Sequence, residues 1–178
     1  MPSSARGTSS PFSPRWPVAE PVGFLTDRPI DPAMLRRHVE SAERGGVASF
    51  LGTVRNHHGG RAVRRLEYSA YEAMAEAECA RIVAETEARW PVAVALRHRV
   101  GRLEVGDTAV GIAVAGAHRD EAFAACRHVI EEVKRRVPIW KREIYADGTE
   151  EWVDPTRQRG SAAAGQGTSV AVAGSAGS

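Results

Sequence analysis

Two long amphipathic stretches, each stopped by a proline, set the terms on which this chain can fold. The first runs from about Glu72 to Arg89, with Ala75, Cys79, Ile82, Val83 and Thr86 on one side, and ends at Trp90-Pro91. The second opens at Ala117-His118-Arg119-Asp120 and runs to about Arg136, with Ala122, Cys126, Val129, Ile130 and Val133 as its apolar stripe. It breaks at Val137-Pro138, because a residue before proline is pushed out of the helical region. One-sided helices need a surface to lie on, and the segments around them have strand patterns that supply it.

Val47 to Val54 is an almost continuous apolar run, read as a central strand buried on both sides. It delivers a polar, glycine-containing loop, Arg55 to Arg61, and Arg64 to Tyr71 returns, so the pair reads as a hairpin with a long loop. From Val92 the alternation puts Val92, Val94, Leu96, His98 and Val100 on one face and Ala93, Ala95, Arg97 and Arg99 on the other, a half-exposed strand. Gly101 and Gly106-Asp107 punctuate a turn-rich segment, and Ala109 to Ala115 is a further buried strand. Ile139 to Tyr145 reads as a strand that turns at Asp147-Gly148 into Glu150 to Val153.

Upstream, Val22 to Leu25 is a short strand candidate. Asp31-Pro32 starts a helix with Leu35, Val39 and Ala42 on its apolar face and Gly45-Gly46 as its stop. Helices set between antiparallel strands give an α+β class. The folded domain spans 21–154, between a Ser-, Pro- and Arg-rich arm over 1–20 with the composition of disorder and a Gly/Ala/Ser-rich, low-complexity tail over 155–178. The acidic-poor arm also suits a transit peptide, but no signal-peptide core or apolar run of membrane length is present, so the cytoplasm is the default compartment.

The cationic residues are unevenly chosen. Of 24 Lys+Arg, only Lys134 and Lys141 are lysine, seven residues apart on either side of Pro138. Arginine stays charged at any reachable pH, whereas a desolvated lysine can act as a base or nucleophile. Lys134 falls on the border of its helix stripe, half-desolvated, although a stem lying over the core with a solvated amine fits equally. Lys141 and Glu143 share one strand face, with Trp140, Arg142 and Ile144 on the other. A carboxylate there can orient the amine or form an ordinary ion pair.

Two further groups could converge on the lysines. Arg55 stands at the end of the apolar run, and His118-Arg119 sit at a helix start, where free N–H groups and the positive dipole end favour an anion. His57-His58 lack a partner cluster and read as polar loop residues rather than metal ligands. Cys79 and Cys126 fall on apolar stripes as small buried hydrophobes, and no metal-type cysteine spacing exists. No cofactor is expected.

Phe50-Leu51-Gly52-Thr53-Val54-Arg55-Asn56, then Ala117-His118-Arg119, then Lys134-Arg135-Arg136-Val137-Pro138-Ile139-Trp140-Lys141-Arg142-Glu143 resemble, in order and spacing, the catalytic (large) subunit of molybdopterin synthase, the MoaE family. The resemblance covers roughly 21–154. It implies an α/β hammerhead-like fold with an additional antiparallel β-sheet, and a homodimer of large subunits flanked by two small ubiquitin-like subunits in a heterotetramer. It further implies that the small subunit's C-terminal Gly-Gly thiocarboxylate enters the large subunit's pocket. There sulfur passes to cyclic pyranopterin monophosphate to form the molybdopterin dithiolene. The family's binding positions carry over to Thr53, Val54, Arg55, His118, Arg119, Lys134, Lys141, Arg142 and Glu143, with Lys134 and Lys141 catalytic and His118 and Arg119 able to serve a neighbouring protomer's pocket.

With both cysteines reading as buried, sulfur should arrive on a partner, since a sulfur-transferring thiol needs an exposed electropositive setting. Other classes remain open at this point: a Schiff-base lysine acting on a carbonyl substrate, an anion- or RNA-binding module, or a scaffold that binds a ubiquitin-like protein without chemistry. Aromatic residues total 6%, and Trp140 reads as buried, which disfavours nucleic acid.

Overall fold

A computed structural model describes residues 23–153; the expected arm over 1–20 and tail over 155–178 lie outside them. In chain order the elements are β1 (Leu25–Thr26), α1 (Pro32–Val39), β2 (Gly46–Thr53), β3 (His57–His58), β4 (Arg61–Ala70), α2 (Glu72–Arg89), β5 (Val92–Arg99), β6 (Gly101–Glu104), β7 (Thr108–Gly116), α3 (Arg119–Arg136), β8 (Ile139–Tyr145) and β9 (Glu150–Val153). They form two sheets. One has the order β1-β5-β7-β2, antiparallel except for the β1–β5 pair. The other has the order β3-β4-β8-β9, with β6 also paired to β4. The class is α+β, as expected.

The two long helices form where the periodicity places them. α2 buries Ala75, Cys79, Ile82 and Thr86, and α3 buries Ala122, Ala125, Cys126, Val129, Ile130 and Val133. These stripes meet Ala48, Val94, Leu96, Val110, Ile112 and Val114 of the first sheet in one core. On the sheet's other face, Leu35 and Val39 of α1 pack on Ala95, Ala113 and Ala115. A separate core of Val54, Val63, Leu66, Leu103, Ala109 and Tyr145 lies under the second sheet.

The structure changes several strand expectations. Among the described residues β2 is an edge strand paired only to β7, with Val47 39% and Leu51 41% exposed, so its apolar run is not buried on both sides there. The return strand, β4, belongs to the other sheet, so β2 and β4 form no hairpin. The tight hairpin is instead β3–β4, where His58 pairs with Arg61 across Gly59-Gly60. Both glycines have positive φ, 55° and 78°, as a two-residue hairpin turn demands. The turn-rich segment after Gly101 contains β6, held by pairing to β4. α1 covers β5 through buried Ala95, so β5 is less exposed than its alternation implied.

α1 also ends a turn early. Asp31 caps its start by accepting from the Ala33 N–H at 2.9 Å, but the helix stops at Val39, where the Arg44 guanidinium donates to the freed Val39 carbonyl at 3.2 Å. Ala42 is therefore exposed rather than on a helical face. Trp140 is 42% exposed, on the side of β8 away from the core, and is not buried.

Candidate active site

Where the two sheets meet, a pocket of about 330 Å³ opens against the C-terminal half of α3. Several separate parts of the chain build it, with β4 and β5 contributing Val63, Leu66, Tyr68 and His98. β2 and its following loop bring Gly52, Thr53, Arg55, His57 and His58; β7 brings Ala109 and Val110; α3 brings Ile130, Val133 and Lys134; and β8 brings Ile139, Lys141 and Glu143. The Pro138 break makes this possible. Val137 caps α3 in an extended conformation and Ile139 enters β8, so a helix end and a strand start approach the same space from different directions.

The two lysines occupy different depths. Lys134 is exposed and lines both this pocket and a shallower hollow against Phe50, Phe123 and Cys126. The half-desolvated setting expected for it is not found. Lys141 has a side chain only 17% exposed, and its Nζ donates to Glu143 Oε1 at 2.8 Å. The Glu143 side chain is 2% exposed, and its second oxygen accepts from Tyr145 Oη at 2.7 Å and His58 Nδ1 at 2.6 Å. Burial pushes the Glu143 carboxyl up, but the hydrogen bonds from Lys141, Tyr145 and His58 prevail and hold it below its ordinary value. It is an anion whose lone pairs are met by three donors, and Lys141 is its cation.

Three ring side chains near the pair are held neutral. Burial, and then the Glu143 charge, pushes Tyr68 up to about 12. Burial pushes His98 down to about 4, against a hydrogen bond between its Nδ1 and the Arg99 carbonyl at 2.9 Å. The two rings meet edge to face, with centroids 5.3 Å apart. Tyr145 is raised to about 12 by burial and by the proton it donates to Glu143. The site is thus a pocket with one ion pair on its inner wall and two further cations, Arg55 and Lys134, at its lining. Such a pocket draws anions and keeps its charge–charge interactions strong.

The structure brings Thr53, Arg55, Lys134, Lys141 and Glu143 together. Val54 neighbours the pocket, but its side chain is buried in the second core and its backbone bonds Asp107 and Gly106 at 2.9 Å each. Arg142 lies on the opposite face of β8, held by Glu67 and by Glu150 at 2.9 Å. His118 and Arg119 stand at the far end of the first sheet. Gly46 pairs with Gly116 beside them, while Thr53 pairs with Thr108 beside the pocket. Seven strand residues separate the two ends, roughly 23 Å at the usual rise per residue. The start of α3 is also met by its own carboxylates, with Asp120 and Glu121 in the first turn and the His118 N–H donating to Glu121 at 3.3 Å.

From the sequence His58 reads only as a polar loop residue, and Tyr68, His98 and Tyr145 carry no site role. Tyr145 follows Glu143 by one strand period and His98 shares the face of Val94 and Leu96, so the period of two carried both. His58 had no such signal, because its position depends on the Gly59-Gly60 turn. Cys79 and Cys126 are buried free thiols. Burial pushes them up to about 12 and about 11. Among the described residues no cluster of His, Cys, Asp or Glu is arranged to hold a metal, and no helix is long and apolar enough to cross a membrane.

Residues 25–136 match the family described as MoaE protein. The molybdopterin synthase catalytic subunit of Bacillus subtilis is 45% identical over 130 residues, covering 72% of this chain and 82% of that one. The crystal structure of molybdopterin synthase from Staphylococcus aureus superposes with a TM-score of 0.71 at 37% identity, covering 74% of this chain and 96% of that chain. A complex of subunits 1 and 2 of molybdopterin-converting factor from Helicobacter pylori shares the fold, with a TM-score of 0.53 at 20% identity over 67% of this chain and 80% of that chain.

Proposed function

The chain belongs to the MoaE family, and on that footing we propose that it is the sulfur-transferring half of a molybdopterin synthase. It takes sulfur from the C-terminal thiocarboxylate of a small ubiquitin-like subunit and places it on cyclic pyranopterin monophosphate, forming the molybdopterin dithiolene. One observation carries this reading to the residues. The pocket holds two lysines, an arginine and a buried carboxylate, yet both cysteines of the chain are buried with thiols held protonated. A sulfur-transfer site without a usable thiol needs sulfur delivered from outside.

The geometry supports a division of labour. Lys134 is exposed and shared by the two hollows, so it is the amine that meets an incoming tail. Its charge stabilises the thiocarboxylate carbonyl oxygen as negative charge grows there. In each transfer the thiocarboxylate sulfur bonds to a pterin side-chain carbon as that carbon's C–O bond breaks, the oxygen leaving as water or as the freed phosphate ester; water then cleaves the acyl–sulfur bond, and the tail leaves as a carboxylate. Lys141, deeper and fixed by Glu143, moves a proton at the pterin. Arg55 and Thr53 lie at the same wall as hydrogen-bond donors for the phosphate.

His118 and Arg119 cannot reach the pocket of their own chain, and this favours a second copy that supplies them. Among the described residues the edge strand β2 is unpaired on one side, with Val47 and Leu51 exposed and Phe123 of α3 exposed as well. An uncovered apolar edge of this kind is a surface for another chain. A homodimer built there, each copy binding one small subunit, gives the heterotetramer. Val54 and Arg142 support the pocket from behind, through the second core and the outer face of β8.

The test is reconstitution. The purified chain, mixed with thiocarboxylated small subunit and cyclic pyranopterin monophosphate, should return the partner as carboxylate and yield the dithiolene. Unchanged thiocarboxylate in the presence of the pterin would refute the reading. Light scattering should give a dimer alone and two small subunits per dimer in the complex, and a monomer at working concentration would remove the shared-pocket role of His118 and Arg119.

A further inference from the structure

We propose that His58 is a positioning residue of this site, acting on Lys141 through Glu143. The inference rests on the reading of the pocket given above and adds a residue to it.

A carboxylate as buried as Glu143 persists only when its oxygens are supplied with donors. Oε1 receives the Lys141 ammonium; Oε2 receives Tyr145 Oη and His58 Nδ1. Lys141 and Tyr145 sit on β8 with Glu143 itself, two residues to either side. His58, on β3, is the one donor to this carboxylate from another strand among the described residues. Since Glu143 is held as the anion, the hydrogen between the two groups belongs to His58, so Nδ1 donates and the ring orientation is fixed. His58 is in turn fixed by its pairing with Arg61 across the two-residue turn.

The arrangement works as a clamp. Tyr145 and Lys141 hold the carboxylate from its own strand, whereas His58 ties it to a second strand. Holding Oε2 from β3 keeps Oε1 on the ammonium and so keeps the amine at one place in the pocket. A residue with this job contributes to the reacting geometry and not to the affinity for substrate, because a misplaced amine costs rate while the other walls of the pocket still bind.

Two substitutions separate donor from bulk. In His58→Asn the amide nitrogen stands where Nδ1 stands, and in His58→Leu the donor is removed at similar volume. With full-length chain, thiocarboxylated small subunit and cyclic pyranopterin monophosphate, His58→Leu should lower kcat by about tenfold, the loss of one charge-assisted hydrogen bond, with KM for the pterin unchanged. His58→Asn should restore most of kcat. If His58→Leu fails to fold, as judged by thermal unfolding, His58→Gln replaces it, since its amide reaches the Nε2 position and leaves Oε2 without its donor from β3. A wild-type kcat in the donor-free variant overturns the proposal, as does a raised KM with kcat intact, or an Asn variant as slow as the Leu variant. Lys141→Ala, run beside them, keeps the two claims apart. If it abolishes transfer while the donor-free variant is normal, only the role of His58 falls; if it turns over normally, the reading of the pocket falls.

Discussion

The Lys141 ammonium lies 2.8 Å from a Glu143 oxygen, on a side chain that is 2% exposed. One ion pair therefore serves as both a structural joint of the second sheet and the inner charge of the pocket. Removing the carboxylate by Glu143→Ala strands a part-buried cation, and urea unfolding should show a loss of roughly 2–4 kcal/mol. A loss well under that range would mean that Lys141 finds solvent on its own.

The same carboxyl makes an acid-side prediction. Its pKa is depressed in the folded state, so its stabilisation is present above its ordinary value of 4.5 and is lost as pH falls through the folded value. The gap in melting temperature between wild type and Glu143→Gln should hold steady above pH 4.5 and close below it. Parallel curves down to acid would contradict the hydrogen-bonded anion described here.

His98 gives a separate window. Burial lowers it from 6.5 to about 4, so the unfolded chain binds a proton there that the folded chain refuses. Stability from this group is complete above pH 6.5 and drains as pH falls toward 4, on the order of 3 kcal/mol in all. His98→Gln, neutral throughout, should flatten the stability curve across that interval. An unchanged slope would show that other groups set it.

The cysteines should be dispensable. Both thiols are buried and raised, so iodoacetamide at neutral pH should leave the native chain unmodified. A Cys79→Ala, Cys126→Ala double variant should lose roughly 1–3 kcal/mol of stability to small cavities and keep its sulfur-transfer rate. Loss of transfer in a folded double variant would place a thiol in the chemistry after all.

Arg136 offers a control outside the pocket. Its guanidinium donates to Glu78 and Glu85 at 2.5 Å each and to Glu132 at 3.2 Å, tying α2 to the end of α3. Arg136→Ala should cost roughly 1–3 kcal/mol, less in high salt, without changing transfer by the folded enzyme. A rate effect at full folding would mean that the α3 end moves Lys134.

How far the sequence reaches can be seen residue by residue. The helices were legible because Cys79, Ile82, Cys126 and Val129 repeat at helical spacing and prolines stop both stretches. The Lys141–Glu143 pair was legible because a strand period of two is short-range and strict. Which sheet a strand joins was not. Val47 to Val54 is as apolar as a central strand, yet its exposed residues leave it at the edge, since an apolar run looks the same whether a sheet or another chain covers it. Trp140, apolar yet 42% exposed, departs from its sequence pattern for the same reason. The distance from His118 to the lysines also depends on register, because antiparallel pairing sends the two ends of β2 and β7 apart. His58 needed the Gly59-Gly60 turn to be folded before its contact with Glu143 could exist.

The most direct test of the account is single-turnover sulfur transfer from thiocarboxylated small subunit to cyclic pyranopterin monophosphate, measured with wild type, Lys134→Ala and Lys141→Ala. Both variants should fold and bind the small subunit, and each should lose dithiolene formation by at least about a hundredfold, the scale of a lost general acid–base or charge-stabilising group. Near-normal product from either folded variant would contradict the assignment of the two lysines.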